Sequence, residues 1–171
     1  MHIISSNFIV TFICYLFFCL IVSCTSNSAN VTEYHQTIHS EVQTIKDDYL
    51  RLSELLSSRD KPAIKFQINQ LNRMVSSSVK RLHAIPTLPN DFNYKALAIK
   101  QLEVLEENLK TRYPQIVKLI GVSNPTDNEV EQLERIYEEI EDLEEPLFEQ
   151  FEKANALFCN QHQIKNTVPS N

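Results

Sequence analysis

The chain contains a single glycine, Gly121, among its 171 residues, whereas glycine makes up about 7% of an average protein. Glycine-rich phosphate loops, dinucleotide-binding turns and tight hairpin turns all need glycine, because their backbones adopt positive φ or approach a ligand closely. All-β folds need many such turns, so this class is excluded as well. We therefore expect an all-α chain that has few turns and is built from long helices.

The charge and the motif content exclude several classes of function. The formal net charge is −6, which disfavours a nucleic-acid partner, because such partners require clustered Lys and Arg. The sequence contains no GxSxG, HExxH, CxxC or P-loop motif, and no Glu is followed three residues later by the His that di-iron bundles use. We expect a protein that is not an enzyme and that carries no cofactor.

The N-terminus has the pattern of an export signal. No charged residue precedes Glu33, and only Thr11 interrupts an apolar run from Phe8 to Val22. That run suits the core of a signal peptide and is shorter than the ~20 residues of a membrane-spanning helix. The segment Ile21-Val22-Ser23-Cys24 follows directly and resembles the bacterial lipobox. The resemblance implies a signal peptide over residues 1–23, cleavage before Cys24, and attachment of lipid, including palmitate, to that cysteine.

The same resemblance implies a location in the cell envelope. Thr25 follows the cysteine, in place of the Asp that retains enteric lipoproteins in the inner membrane, so the outer membrane is favoured, on its periplasmic or its surface face. Two alternatives stay open: ordinary secretion with cleavage nearby, and an uncleaved anchor that extends back to Ile3. If Cys24 is not acylated, a disulfide with Cys159 is its competing use.

Hydrophobic periodicity predicts four amphipathic helices, which short turns force into an up-down four-helix bundle. We expect a flexible tether over residues 24–32, the bundle over 33–164 and a disordered tail over 165–171. Asp60 should cap the second helix, and a Thr126–Glu129 capping box should open the fourth. The third helix should begin by burying Phe92 and end at Gly121 as a left-handed C-cap, and Pro114 and Pro146 should kink or split their helices.

Five side chains map to the membrane-proximal pole of this predicted bundle and form a candidate metal site for Zn²⁺ or copper. His35 and His39 have the i, i+4 spacing that places two imidazoles on one helix face, and a thiolate with imidazoles suits these metals. The competing interpretation is structural: the histidines flank or leave the apolar stripe, and the cysteine fills the core. The five residues are His35, His39, His83, Cys159 and His162.

The fourth helix is strongly acidic, with twelve Asp or Glu and a single Arg between Asp127 and Glu152. This run can form a face for a protein partner with a basic surface, or for a divalent ion, or can be a solvated surface. The candidate face consists of Glu138, Glu141, Asp142 and Glu145. Aromatic residues on the same helix are interpreted as core, with a ligand pocket between helices as the alternative: Tyr137, Phe148, Phe151 and Phe158.

Over most of residues 33–162 the chain is similar to small helical-bundle surface lipoproteins of Gram-negative and spirochaete envelopes. The similarity rests on the first helix led by Tyr34, the Leu88-Pro89 turn, the Glu-rich last helix and its aromatic end. This family implies no active site. Our first hypothesis is a membrane-anchored, non-catalytic interaction or structural module held to the membrane by lipid on Cys24. The alternative is a periplasmic or surface bundle that binds a metal or a small ligand.

Overall fold

The computed structural model describes the backbone of residues 6–122 and 124–164 and the side chains of residues 30–122 and 124–164. Within this part the chain is helical and contains no strand, which confirms the all-α prediction. The helices are α1 (Ser6–Ser58), α2 (Lys61–Ala84), α3 (Tyr94–Thr111), α4 (Tyr113–Leu119) and α5 (Asp127–His162). Within the residues whose side chains the structure describes, no helix is long and apolar enough to cross a membrane.

The chain divides into two compact units, Met1–Gln36 and Thr37–Asn171. The first unit holds the N-terminal part of α1, in which residues 24–32 are helical. The flexible tether expected over residues 24–32 stays a prediction; the segment contains no glycine or proline that would stop a helix. The side chains of residues 1–29, including Cys24, and the whole of residues 165–171 lie outside the described part.

Cross-helix contacts in the second unit define an up-down arrangement. Between α1 and α2, Ser78 Oγ donates to Glu41 Oε2 at 2.7 Å and Gln67 Nε2 donates to the Asp48 carbonyl at 3.2 Å. Residue numbers therefore rise along α2 as they fall along α1, so the two helices are antiparallel. The same reasoning applies to α3 and α5, where contacts join Tyr94 to Phe151 and Asn108 to Glu144. These pairings support the predicted bundle.

The core is centred on α3, which packs against both α2 and α5. Tyr94 is fully buried, and its ring stacks on Phe151 at 5.2 Å and on Phe158 at 5.4 Å between centroids. Stacked aromatic pairs add to the free energy of burial. Aliphatic side chains from four helices complete this core: Ile38, Leu52, Ile64, Leu71, Leu82, Leu102, Leu109 and Ile116.

The helix boundaries confirm several sequence predictions. Asp60 accepts a hydrogen bond from the Ala63 backbone N–H at 3.1 Å and caps α2, and Thr126 and Glu129 form a reciprocal capping box on α5. Pro114 splits the predicted third helix, since α3 ends at Thr111 and α4 begins at Tyr113. The fifth helix continues through Pro146.

Two predictions about the ends of the third helix are wrong. Gly121 does not have positive φ, and an added Cβ would meet the end of the flexible Lys61 side chain, 1.7 Å from its Cε, which can move aside. Phe92 is 40% exposed and adopts a φ of 54°. The buried first position of the helix belongs instead to Tyr94, because the Asp91 carboxylate accepts from the backbone N–H of Asn93 and delays the start of the helix.

We expect Phe158→Ala to lower the free energy of unfolding by about 3–5 kcal/mol, because the change leaves a cavity beside Tyr94. Phe66→Ala is the matched control: this ring is 64% exposed, so the change should stay within about 0.5 kcal/mol. Chemical denaturation of the full chain measures both values. Equal effects of the two substitutions would contradict a core centred on Tyr94.

Candidate ligand-binding cavity

A cavity of about 590 Å³ lies between α1 and α5, and residues of α3 and α4 also line it. All of its lining residues belong to the unit Thr37–Asn171. Its floor is apolar and includes the side chains of Val42, Ile45, Leu102, Leu105 and Ile140. A cavity of this size falls within the range of roughly 300–1,000 Å³ typical of small-molecule sites.

The two edges of the cavity differ in character. Along α1 the edge is formed by His39, Gln43, Lys46, Leu50 and Ser53, which recur at helical spacing. Leu50 is 55% exposed there, so an apolar side chain faces solvent at the cavity mouth. Along α5 the edge is acidic and aromatic: Tyr137, Glu141, Glu145, Phe148 and Glu152.

A half-buried carboxyl group, Glu144, joins three helices at the cavity wall. Its Oε2 accepts from the Tyr49 hydroxyl on α1 at 3.0 Å, and its Oε1 accepts from Asn108 Nδ2 on α3 at 2.7 Å. The Tyr113 hydroxyl on α4 donates to Tyr49 at 2.7 Å. Arg112 extends the network, because it donates to Asn108 Oδ1 at 2.9 Å. Both carboxylate oxygens of Glu144 are therefore satisfied within the protein.

Burial dominates the electrostatics of this cluster. It raises the pKa of Glu144 above its ordinary value, against the opposing effect of the hydrogen bonds from Asn108 and Tyr49. Burial also raises the pKa of Tyr49 and of Tyr113, so both phenols stay protonated and act as donors at neutral pH. The cavity wall thus places a carboxyl group whose pKa burial raises beside an apolar floor.

The structure divides the predicted acidic face into two pairs. All four side chains are exposed. Glu141 and Glu145 line the cavity, whereas Glu138 and Asp142 lie on α5 outside its lining. Two further glutamates that were not in the predicted face, Glu144 and Glu152, also line it.

The predicted aromatic set is likewise divided. Tyr137, Phe148 and Phe151 line the cavity, and the first two are 40% and 38% exposed. Phe158 belongs to the core against Tyr94. Lys46 Nζ lies 5.2 Å from the centroid of the Phe148 ring, so a cation already occupies one aromatic face at the cavity edge.

The candidate metal ligands are not assembled into a site. Over residues 30–122 and 124–164, no three His, Cys, Asp or Glu side chains are grouped to hold a metal ion. His35 is buried in the first unit, and the other four belong to the second, where His39 lines the cavity. His83 Nε2 lies 3.7 Å from Glu103.

The end of α5 holds the remaining two candidate ligands, Cys159 in the core and His162 half-buried. Cys159 is buried, with its Sγ 3.5 Å from Asn155 Oδ1, and burial raises the pKa of this thiol. The His162 ring lies 4.5 Å from the Phe158 ring. These contacts favour structural roles for both side chains.

Glu144 is the cavity residue that sequence reasoning missed, although the sequence carries a signal for it. The apolar stripe of α5 steps from Ile140 to Leu147 and Phe151, and Glu144 occupies the helical position between Ile140 and Leu147. A carboxylate within an apolar stripe predicts a buried acid that needs hydrogen-bond partners. Those partners, Tyr49 and Asn108, lie on two other helices, so periodicity within α5 does not identify them.

The chain matches no protein-family model, no curated protein and no solved structure.

We expect Glu144→Gln to change the pH dependence of stability. Because the folded-state pKa of Glu144 is raised above its ordinary value of 4.5, its contribution to stability is fully present below pH 4.5 and is lost as pH rises through the folded-state pKa. The unfolding free energy of the wild type should therefore decline relative to that of E144Q as pH rises above 4.5. Denaturant titrations at a series of pH values measure this difference.

The exposed Glu138→Gln on the same helix controls for the loss of one negative charge from α5. A wild-type to E144Q difference that does not vary with pH, or that varies in the opposite direction, would contradict a carboxyl group that burial favours in its neutral form.

Proposed function

We propose that this chain is a lipid-anchored protein of the bacterial envelope whose helical unit is a non-catalytic module that binds a small apolar molecule. The observation that carries the proposal is the cavity between α1 and α5. The lipid on Cys24 holds the protein at a membrane, in keeping with the outer membrane implied by its lipobox resemblance. The cavity supplies the binding activity.

The composition of the cavity supports binding of a small molecule. Binding sites of this kind combine an apolar lining with a small number of placed polar groups. Here the polar groups are the Tyr49–Glu144 pair in the wall, the amide of Gln101 and the charged edges. Leu50 and Phe148 leave apolar surface exposed at the mouth, and a ligand that covers this surface gains hydrophobic free energy.

The internal satisfaction of the polar cluster favours binding over catalysis. A general base needs a lone pair that can reach a substrate proton. Each oxygen of Glu144 accepts one hydrogen bond, from Tyr49 or from Asn108, and the two phenols donate within the cluster, so these groups hold one another in place. The cluster thus serves to fix the cavity wall.

The alternative of a metal-binding pole has less support, because the described His and Cys side chains are dispersed. A protein partner with a basic surface remains compatible with the outward pair Glu138 and Asp142, which is exposed and does not line the cavity. Small-ligand binding is favoured because the cavity has both volume and apolar lining, whereas the outward pair has charge alone.

We expect Val42→Phe to abolish binding of a neutral alkyl probe, since the added ring fills the cavity floor. The probe is dodecanol carrying a photoactivatable diazirine, applied to membranes that contain the full chain, and the labelled peptides are identified by mass spectrometry. Labelling should concentrate in residues 39–56 and 137–152, which line the cavity.

Val130→Phe is the matched control for this experiment. It makes the same chemical change on α5 at an exposed position outside the cavity, so labelling should be retained. If both variants label like the wild type, or if the wild type labels evenly along the helices, the cavity is not the binding site.

The anchoring part of the proposal has its own test. We expect the protein recovered from native membranes to have the mass of residues 24–171 plus acyl chains, and we expect Cys24→Ser to abolish the acylated form. Intact-protein mass spectrometry measures both. A mass that matches residues 24–171 without acyl chains would contradict the lipid anchor.

A further inference from the structure

The cavity is elongated. Its lining extends along α1 from His39 to Leu56 and along α5 from Tyr137 to Glu152. At 1.5 Å per helical residue these spans correspond to about 23–26 Å. Because contacts pair Lys46 with Phe148 and Tyr49 with Glu144, the two helices are antiparallel and their spans face each other.

The size and the lining of the cavity favour an elongated small molecule. Its volume of about 590 Å³ lies within the range of small-molecule sites. Because apolar side chains line it along both helices, an extended hydrocarbon chain can lie lengthwise between α1 and α5.

The charge of the lining selects the polar end of that chain. Three exposed glutamates line the cavity, Glu141, Glu145 and Glu152, whereas Lys46 is its one Lys or Arg. An anionic head group would meet this excess of negative charge and be repelled, whereas a cation would be attracted.

Aromatic groups add to this preference. The rings of Tyr137 and Phe148 are partly exposed at the acidic edge, and aromatic faces attract cations. The exposed carboxylates of the same edge attract a cation as well. These groups favour a ligand that brings positive charge.

We propose that the ligand is a cationic amphiphile, with one extended alkyl chain along the floor between α1 and α5 and an ammonium head at the edge formed by Glu141 and Glu145. This inference rests on the proposed binding of a small apolar molecule and names its chemical class. The alkyl chain covers Val42, Leu105 and Ile140. The ammonium head lies against the acidic edge of α5, as the Lys46 ammonium lies against Phe148 of the same helix.

The test is competition against the diazirine-dodecanol probe in membranes that contain the full chain. Dodecylamine, dodecanol and dodecanoate share one chain length and differ in their head groups. We expect dodecylamine to displace the probe at about tenfold lower concentration than dodecanoate, since two exposed ion pairs each contribute modestly. Decylamine should be about fifteenfold weaker than dodecylamine, because it buries two fewer methylene groups.

Variants on the acidic helix locate the head group. The double variant Glu141→Gln and Glu145→Gln should reduce the preference for dodecylamine over dodecanoate to within about threefold, while displacement by dodecanol is unchanged. The matched control, Glu138→Gln with Asp142→Asn, removes the same charge from α5 outside the cavity and should leave the preference intact. The three competitors partition unequally into the bilayer. Because this partitioning is the same for every variant in the same membrane, it does not affect the comparison among variants.

The outcomes separate the two proposals. Equal displacement by the amine and the carboxylate, or a preference for the carboxylate, overturns the cationic head group while cavity binding of the probe stands. Equal loss of preference in both double variants also overturns it, because the effect is then one of net charge. Absence of probe labelling in the cavity overturns the proposed function itself.

Discussion

The hydrogen-bonded cluster around Glu144 is the constraint on which the site depends. It ties α5 to α1 through Tyr49 and to α3 through Asn108, with Tyr113 of α4 behind the tyrosine. A half-buried polar network is stable only when each member is satisfied, since a lost partner leaves another with an uncompensated desolvation cost of about 1–3 kcal/mol. The cluster therefore fixes the positions of α1 and α5 on either side of the cavity.

The break between α3 and α4 supplies one member of that cluster. Pro114 lacks a backbone N–H and crowds the preceding turn, so the helix stops at Thr111 and restarts at Tyr113. Tyr113 is then 4% exposed, and its hydroxyl reaches Tyr49. Arg112, at the break, donates both to Asn108 and to Glu139 on α5. A local backbone effect in the sequence is thus converted into a long-range link between helices.

Local signals made much of this fold predictable. The Asp60 cap, the Thr126–Glu129 capping box and the split at Pro114 each depend on residues within one helical turn, and each is present in the structure. The left-handed cap predicted at Gly121 is absent, because the glycine does not adopt the positive φ that such a cap requires. The prediction that Phe92 is buried at the start of the helix is also wrong. The helix begins two residues later, at Tyr94, because the Asp91 side chain binds the backbone N–H of Asn93.

The cavity was less predictable, because it depends on the spacing between helices. Tyr137 and Phe148 fit an apolar stripe, and helical spacing alone assigns both to a core. They line a cavity because it lies between α1 and α5 and is not filled by side chains of the neighbouring helices. Likewise, the acidic run of α5 is visible in the sequence, but only the structure separates Glu141 and Glu145 at the cavity from Glu138 and Asp142 outside it.

The acidic edge and the proposed anchor are consistent with each other in physical terms. Glu141 and Glu145 are spaced i, i+4 on α5, which costs a few tenths of a kcal/mol through like-charge repulsion. A cation held between them would remove that cost and gain attraction from both carboxylates. The anchor would keep the cavity beside a bilayer, where amphiphiles are concentrated, so that binding of modest intrinsic affinity becomes effective through local concentration. An open, half-solvated groove suits such a role, because exchange with a nearby membrane requires a chain to enter from the side without unfolding the core around Tyr94.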